Sequence, residues 1–374
     1  PYAAAGACAA ITLGTALCAG FLLIRHKIKG DGITKAEMAA SPAPRPYKQN
    51  LKTLALIAVP VVMGALVTSI AGMVDLVTVH RRLMDAVRTD PAGLIGQYGD
   101  YLPPGTAITE LPNFLYGVYK GYVFSFFSLI PTITAMLGVS ALPAVAAMWT
   151  RKDKTPLKVN VESVVRVTAI ISLPAGAVMS VLAGPILSMM YRGSPGEAAV
   201  SMPLLSVMAV SGAFAGMSIP ITNMLQGIGK QKLPVRNMII GAAVKLAVNF
   251  FLVADPEINI KGAAFGSLGC YIVIFLLNFY DLCKYSGFVP NILKTVLKPA
   301  AAALLCAAAS WAAYKSAQRV IDGSIIPLCL GICAAGIVYV IVLILLRTIT
   351  REDVLMLPKG EKFVKTLEKL HCIS

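Results

Sequence analysis

Read for the spacing of its apolar and polar positions, the chain resolves into about nine long apolar stretches divided by short polar segments. They are Ala4–Ile24, Leu54–Val79, Val118–Met148, Val167–Tyr191, Val200–Ile228, Val235–Ala254, Ala263–Tyr280, Ala300–Ala317 and Ile325–Leu346. A helix of roughly 20 apolar residues crosses a hydrocarbon core of about 30 Å, and every stretch is near or above that length. A membrane barrel would show alternating segments of roughly ten residues instead of continuous apolar runs. The predicted fold class is therefore all-α, a polytopic transmembrane helix bundle of about nine helices.

Composition removes the soluble alternative. Of 374 residues 57% are hydrophobic and only 14% charged, against about 25% charged in soluble domains. The formal charge of +15 is explained by its placement, because Lys and Arg gather in short cytoplasmic loops. Segments 25–52, 151–166, 230–236 and 281–298, with the tail from Arg347, carry 24 of the 33 basic residues. The intervening segments hold Arg81, Arg82, Arg88, Lys120, Arg192, Lys261, Lys315 and Arg319, and the last basic residue is Lys245. This alternation predicts a multi-pass protein of an inner (cytoplasmic) membrane with a cytoplasmic C-terminus. Attraction to anionic headgroups accounts for the charge without nucleic acid. An odd helix count then places Pro1 outside. Since "PYAAAGACAA" opens without methionine directly on an apolar stretch, loss of an N-terminal piece with an odd number of helices is expected, in preference to a cleaved signal peptide.

Little in the chain suits catalysis. Of eight cysteines all but Cys372 lie in or beside apolar stretches, where they behave as small hydrophobes. Cys329 and Cys333 share a helix face, a spacing that suits packing better than metal binding. His26, His80 and His371 are the only histidines and lie at membrane margins. Membrane transferases need paired carboxylates, or histidine with carboxylate, yet Asp75, near the outer end of its stretch, is the one carboxylate read as intramembrane and Asp281 marks a helix end. "LQGIGK" (225–230) lacks phosphate-loop spacing, and its glycines read as a helix terminus. No enzyme activity, cofactor or metal is expected. Gly and Pro recur inside the stretches, and "GVYKG" (117–121), "GAFAG" (212–216) and "GAAFG" (262–266) read as small-xxx-small seams between helices that bend and re-pack.

Three runs, "PAGAVMSVLAGPILSMMYRG", "NMLQGIGKQKLPVRNMIIGAAVKLAVNFFLV" and "PEINIKGAAFGSLGCYIVIFLLNFYDL", resemble the polysaccharide and lipid-linked oligosaccharide flippases of the multidrug/oligosaccharidyl-lipid/polysaccharide exporter superfamily. "VTVHRRLMDA" and "LYGVYKGYVFSFFSLIPTITAMLGVSALPAV" resemble the preceding segments. The resemblance implies fourteen helices in two six-helix lobes plus a terminal pair. On that scheme 1–26 is the sixth helix, 27–52 a cytoplasmic loop, 53–285 the second lobe, 286–347 the terminal pair and 348–374 a cytoplasmic tail. Residues 88–113 read as a long external loop.

The resemblance also implies a function: export of a polyprenyl-pyrophosphate-linked saccharide, such as lipid II, for cell-wall or spore-cortex synthesis by alternating access. Partners would be the lipid-linked substrate, membrane lipids and cell-wall synthesis proteins, and the terminal pair would offer a groove for the lipid tail. A drug or cation antiporter of the same superfamily is the rival, as is a non-transporting scaffold for wall-synthesis enzymes. Lys245 lies nine residues past Arg236, about 13 Å along a helix and so near mid-bilayer. An ionisable group there faces a wet cavity or pairs structurally. The candidate cavity residues are Lys245 with Asn249 one turn along, then Asp75 and Lys120 near the outer interface. Gln226 would cap a helix end or line the inner mouth.

Overall fold

The computed structural model describes residues 2–30, 46–102, 105, 107–321, 325–346 and 348. The chain divides into two units, Pro1–Ile57 and Ala58–Ser374. The first holds α1 (Tyr2–Lys29) and the opening turns of α2 (Tyr47–Thr89). The predicted loop 27–52 falls largely, and the tail 348–374 almost wholly, outside the described residues.

The second unit continues through α3 (Pro91–Tyr98), α4 (Leu111–Val118), α5 (Phe124–Arg151), α6 (Lys154–Val181), α7 (Ala183–Met190) and α8 (Pro195–Gly227). It ends with α9 (Lys232–Leu252), α10 (Lys261–Ser286), α11 (Lys298–Gln318) and α12 (Ile325–Leu345). A π turn at Tyr119–Val123 joins α4 to α5, and another at Leu293–Leu297 leads into α11. Among the described residues there is no strand, and eight helical segments are long and apolar enough to cross a bilayer. The ninth predicted stretch, Leu54–Val79, lies within the 43-residue α2. Helices dominate because hydrocarbon offers no partner for a backbone N–H or C=O, so each span must satisfy its own.

At the centre stands α8, with Leu204, Leu205, Met208 and Ala209 wholly buried. It packs on α5, α6 and α10. Gly212 and Gly216 let α5 approach: a Cβ at either would lie within 3.2 Å of Phe127 O or 3.1 Å of Ile130 Cγ2. "GAFAG" is thus a true seam. "GVYKG" is not, since nothing lies within 4 Å of a Cβ built on Gly117 or Gly121. By contrast α9 leans on α10 and scarcely meets α8, which opens a space between them. The terminal α11 and α12 pair with each other, and α11 rests on α6. Tyr339 Oη donates to Ile170 O at 2.7 Å.

The structure corrects several loop boundaries. The predicted basic loop 151–166 is only a turn at Lys152 (φ 60) and Asp153, after which α6 begins at Lys154. Leu157, Val161 and Val164 are buried on its inner face, so charge on one side of a helix had imitated a loop. The stretch Val167–Tyr191 is two helices broken at Leu182, because Pro185 has no N–H to offer the Val181 carbonyl. Segment 88–113 is largely helical: α3, then 3₁₀ turns at Gly99–Tyr101 and Ile108–Glu110, with Leu94 and Leu111 in the core. The reading of "LQGIGK" holds, as α8 ends at Gly227 and Gly229 adopts φ 78.

Candidate functional site

Three helical segments of the second unit bring four polar side chains to one point. Asp75, on α2, has a side chain only 3% exposed. Its Oδ2 accepts from Lys245 Nζ of α9 at 2.9 Å, and its Oδ1 accepts from Asn249 Nδ2 at 2.8 Å. Lys245 and Asn249 are four residues apart, hence stacked on one helix face. Lys120 Nζ, from the π turn, lies 3.7 Å from the same Oδ2 and 4.6 Å from the Phe124 ring.

Local structure explains why Lys120 arrives there. The preceding Tyr119 is fully buried, and its hydroxyl pairs with Ser267 Oγ at 2.8 Å on α10. That bond fixes the π turn against α10 and leaves Lys120 as the next side chain toward α2. Asn249 is held from behind by Gly266, the second glycine of "GAAFG": a Cβ there would collide with Asn249 Oδ1. That oxygen is buried and has no hydrogen-bond partner among the described residues.

The cluster sits at the wall of a cavity of about 430 Å³, within the range of small-molecule sites. Asp75, Lys120 and Lys245 line it, with Phe124, Phe127, Ile219, Met238, Ala242, Tyr271 and Ile274 as apolar walls. Two ammonium groups share one carboxylate, so the group carries a formal charge of +1. Side-chain exposure is 22% for Lys245 and 32% for Lys120, and the second lysine is the more available of the two.

Residues 120–251 match the MatE family model. The matched segment contains Lys120, Lys245 and Asn249, whereas Asp75 enters from the helix before it. Stage V sporulation protein B of Bacillus subtilis is 24% identical over 65% of this chain and 46% of its own length. The lipid II flippase MurJ of the same organism is 23% identical over 45% of this chain and 31% of its own. The chain therefore spans less than half the length of these relatives. Among solved structures, a MOP superfamily transporter from Pyrococcus furiosus aligns with 84% of this chain and 68% of its own at 16% identity and a TM-score of 0.44.

Beyond this cluster, Gln226 stands apart. It occupies the last turn of α8, where its backbone carbonyl accepts from Gly229 N at 2.9 Å, and it does not line the cavity. Asp281 does not mark a helix end: it lies inside α10, five residues before Ser286, and is 2% exposed. Its Oδ2 accepts from Arg236 Nη2 and from Asn237 Nδ2, both at 2.7 Å. Asn237 Nδ2 also reaches Asn278 Oδ1 at 2.9 Å, and Asn278 Nδ2 donates to Thr222 Oγ1 at 3.1 Å. This network stitches α8, α9 and α10 together and reaches the cavity wall at Thr222. Its signal in the sequence was the pair of asparagines inside otherwise apolar stretches.

A third polar knot ties the 88–113 segment down. Tyr98 Oη donates to Asn259 Oδ1 at 2.6 Å, and Asn259 Nδ2 donates to Gln97 Oε1 at 3.0 Å. Asn259 is fully buried with φ 42, a left-handed backbone that Asn tolerates better than most residues. Burial pushes the Tyr98 hydroxyl up to about 12, partly opposed by its bond with Asn259.

Proposed function

We propose that this chain contributes the second lobe of an inner-membrane flippase for polyprenyl-pyrophosphate-linked saccharides, such as a lipid II-like precursor for wall or spore-cortex synthesis. The single observation that carries the reading is the shared carboxylate: two lysines on one buried aspartate leave a cationic end on an otherwise apolar cavity. An anionic pyrophosphate gains from that end, and the prenyl tail stays in hydrocarbon, with α11 and α12 the proposed groove for it. Lys245 holds Asp75 in place with Asn249. Lys120, farther from Asp75 and more exposed, is the cation that turns to the headgroup. Alternating access would re-pack α9, which among the described residues leans on α10 and scarcely meets α8. Cell-wall synthesis proteins are the proposed partners, and the C-terminus is cytoplasmic.

One observation favours the antiporter reading, namely that Asp75 is a buried carboxylate lining the cavity. An organic cation there would still meet the surplus ammonium. Lys120→Met in the full-length protein separates the two readings. Rescue of a flippase-deficient strain should fall at least tenfold at unchanged abundance. Full rescue, or enhanced export of a cationic dye, would overturn the flippase reading.

A further inference from the structure

A second site lies on the outside of the same two helices that hold the cluster. Val77, Arg81 and Arg82 of α2 face Leu246, Phe250 and Phe251 of α9 across a groove of about 540 Å³. Its walls are apolar and open: Val77 is 49%, Phe250 48% and Phe251 72% exposed. One end is cationic. The Arg82 guanidinium lies 3.3 Å from the centre of the Phe250 ring and donates to Asp85 at 3.0 Å. Arg81 is exposed and has no ion pair among the described residues. The arginines follow the apolar stretch that closes at Val79, and the phenylalanines occupy the last turn of α9. Guanidinium and aromatic groups therefore sit together at the end of two spans, the depth at which lipid headgroups lie and such side chains anchor.

We propose that this groove binds a membrane phospholipid of net negative charge, with its phosphate on Arg81 and Arg82 and an acyl chain along Leu246 and Phe250. Charge complementarity selects the occupant. Two arginines against the single Asp85 leave one positive charge uncompensated, which suits a phosphodiester presented bidentately to a planar guanidinium. A zwitterionic lipid would bring a cation of its own beside Arg81. The apolar walls select a lipid over free phosphate. The site is independent of the cavity's proposed role, since it needs no transport.

The test uses the full chain, purified and reconstituted in nanodiscs with equal phosphatidylglycerol and phosphatidylcholine, and reads retained lipid by native mass spectrometry. Phosphatidylglycerol should be enriched. An arginine near the membrane surface contributes about fivefold to anionic-lipid binding. Arg81→Gln should therefore lower the enrichment about fivefold, and the Arg81→Gln/Arg82→Gln pair about twenty-five-fold. Phe250→Ala should weaken both lipids alike. Arg81→Gln removes an exposed, unpaired side chain and leaves the fold intact, so it stays informative if the double variant is unstable. Unchanged enrichment in Arg81→Gln would overturn the proposal. Displacement of the lipid by inorganic phosphate, or occupation of the groove by a second copy of the chain, would also overturn it.

Discussion

Replacing Lys245 by Met tests the shared carboxylate directly. At an effective dielectric near 20, the gross attraction between unit charges is about 6 kcal/mol at 2.9 Å and about 4.5 kcal/mol at 3.7 Å. The more distant Lys120 thus supplies roughly three-quarters of what Lys245 supplies before desolvation is counted. Stranding a buried charge with no partner costs about 3–5 kcal/mol. With one ammonium left within reach of Asp75 and the Asn249 amide still donating, Lys245→Met should cost much less, about 1–2 kcal/mol. Lys120→Met should cost under about 1 kcal/mol, since its contact is longer and its side chain wetter. The double variant strands Asp75 and should reach about 3–5 kcal/mol, a coupling of about 1–3 kcal/mol beyond the two single losses. Adding Asp75→Asn to the double variant should recover most of that loss. Unfolding in mixed micelles, followed by tryptophan fluorescence, gives each free energy. Additive single losses, or no recovery on neutralising Asp75, would refute the argument that both lysines serve one carboxylate.

Further consequences concern the surrounding structure. Gly266→Ala would drive a methyl into Asn249 Oδ1, and should lower stability by about 1–3 kcal/mol while weakening the Asp75 bond; Asn249→Ala in the same background should remove most of the added cost, as read by unfolding. Asp281→Leu should cost more than Arg236→Gln, because it takes one acceptor from both Asn237 and Arg236 at a buried site, whereas Arg236 is half exposed; expression level and melting temperature report the order. The raised Tyr98 hydroxyl stabilises the 88–113 segment fully below its ordinary value near 10, and that contribution disappears as pH rises toward about 12. It amounts to about 2–3 kcal/mol, so the protection factors of α3 amides, taken relative to intrinsic base-catalysed exchange, should fall across that window in the wild type more than in Tyr98→Phe. An impermeant thiol reagent should label a cysteine at Gly193 in intact cells and spare one at Lys35, in a cysteine-free background; the reverse would invert the proposed topology.

Hydropathy alone placed the long apolar helices, and for a physical reason. In hydrocarbon a backbone without internal hydrogen bonds is so unfavourable that a long apolar run has only one option. The same reasoning located helix ends near Gly227 and Leu252. It failed where a helix leaves the bilayer: α6 starts thirteen residues before the predicted Val167 because its outer face is charged and its inner face, at Leu157 and Val161, is not. It failed again at Leu182, where a missing proline donor breaks an unbroken apolar run. The site was half legible. Lys245 and Asn249 declared themselves by charge and by four-residue spacing, since an ammonium within an apolar stretch demands a partner. Which partner it takes was settled only by tertiary packing. An apolar helix is apolar on every side, so nothing in α2, α5 or α9 announces which face turns inward, and Asp75 is 170 positions from Lys245. Gly266 and the π turn at Lys120 set those rotations through close approach and backbone geometry. The packing of α9 on α10 is likewise why Asp281, legible as a helix end, proved to be the hub of a buried network.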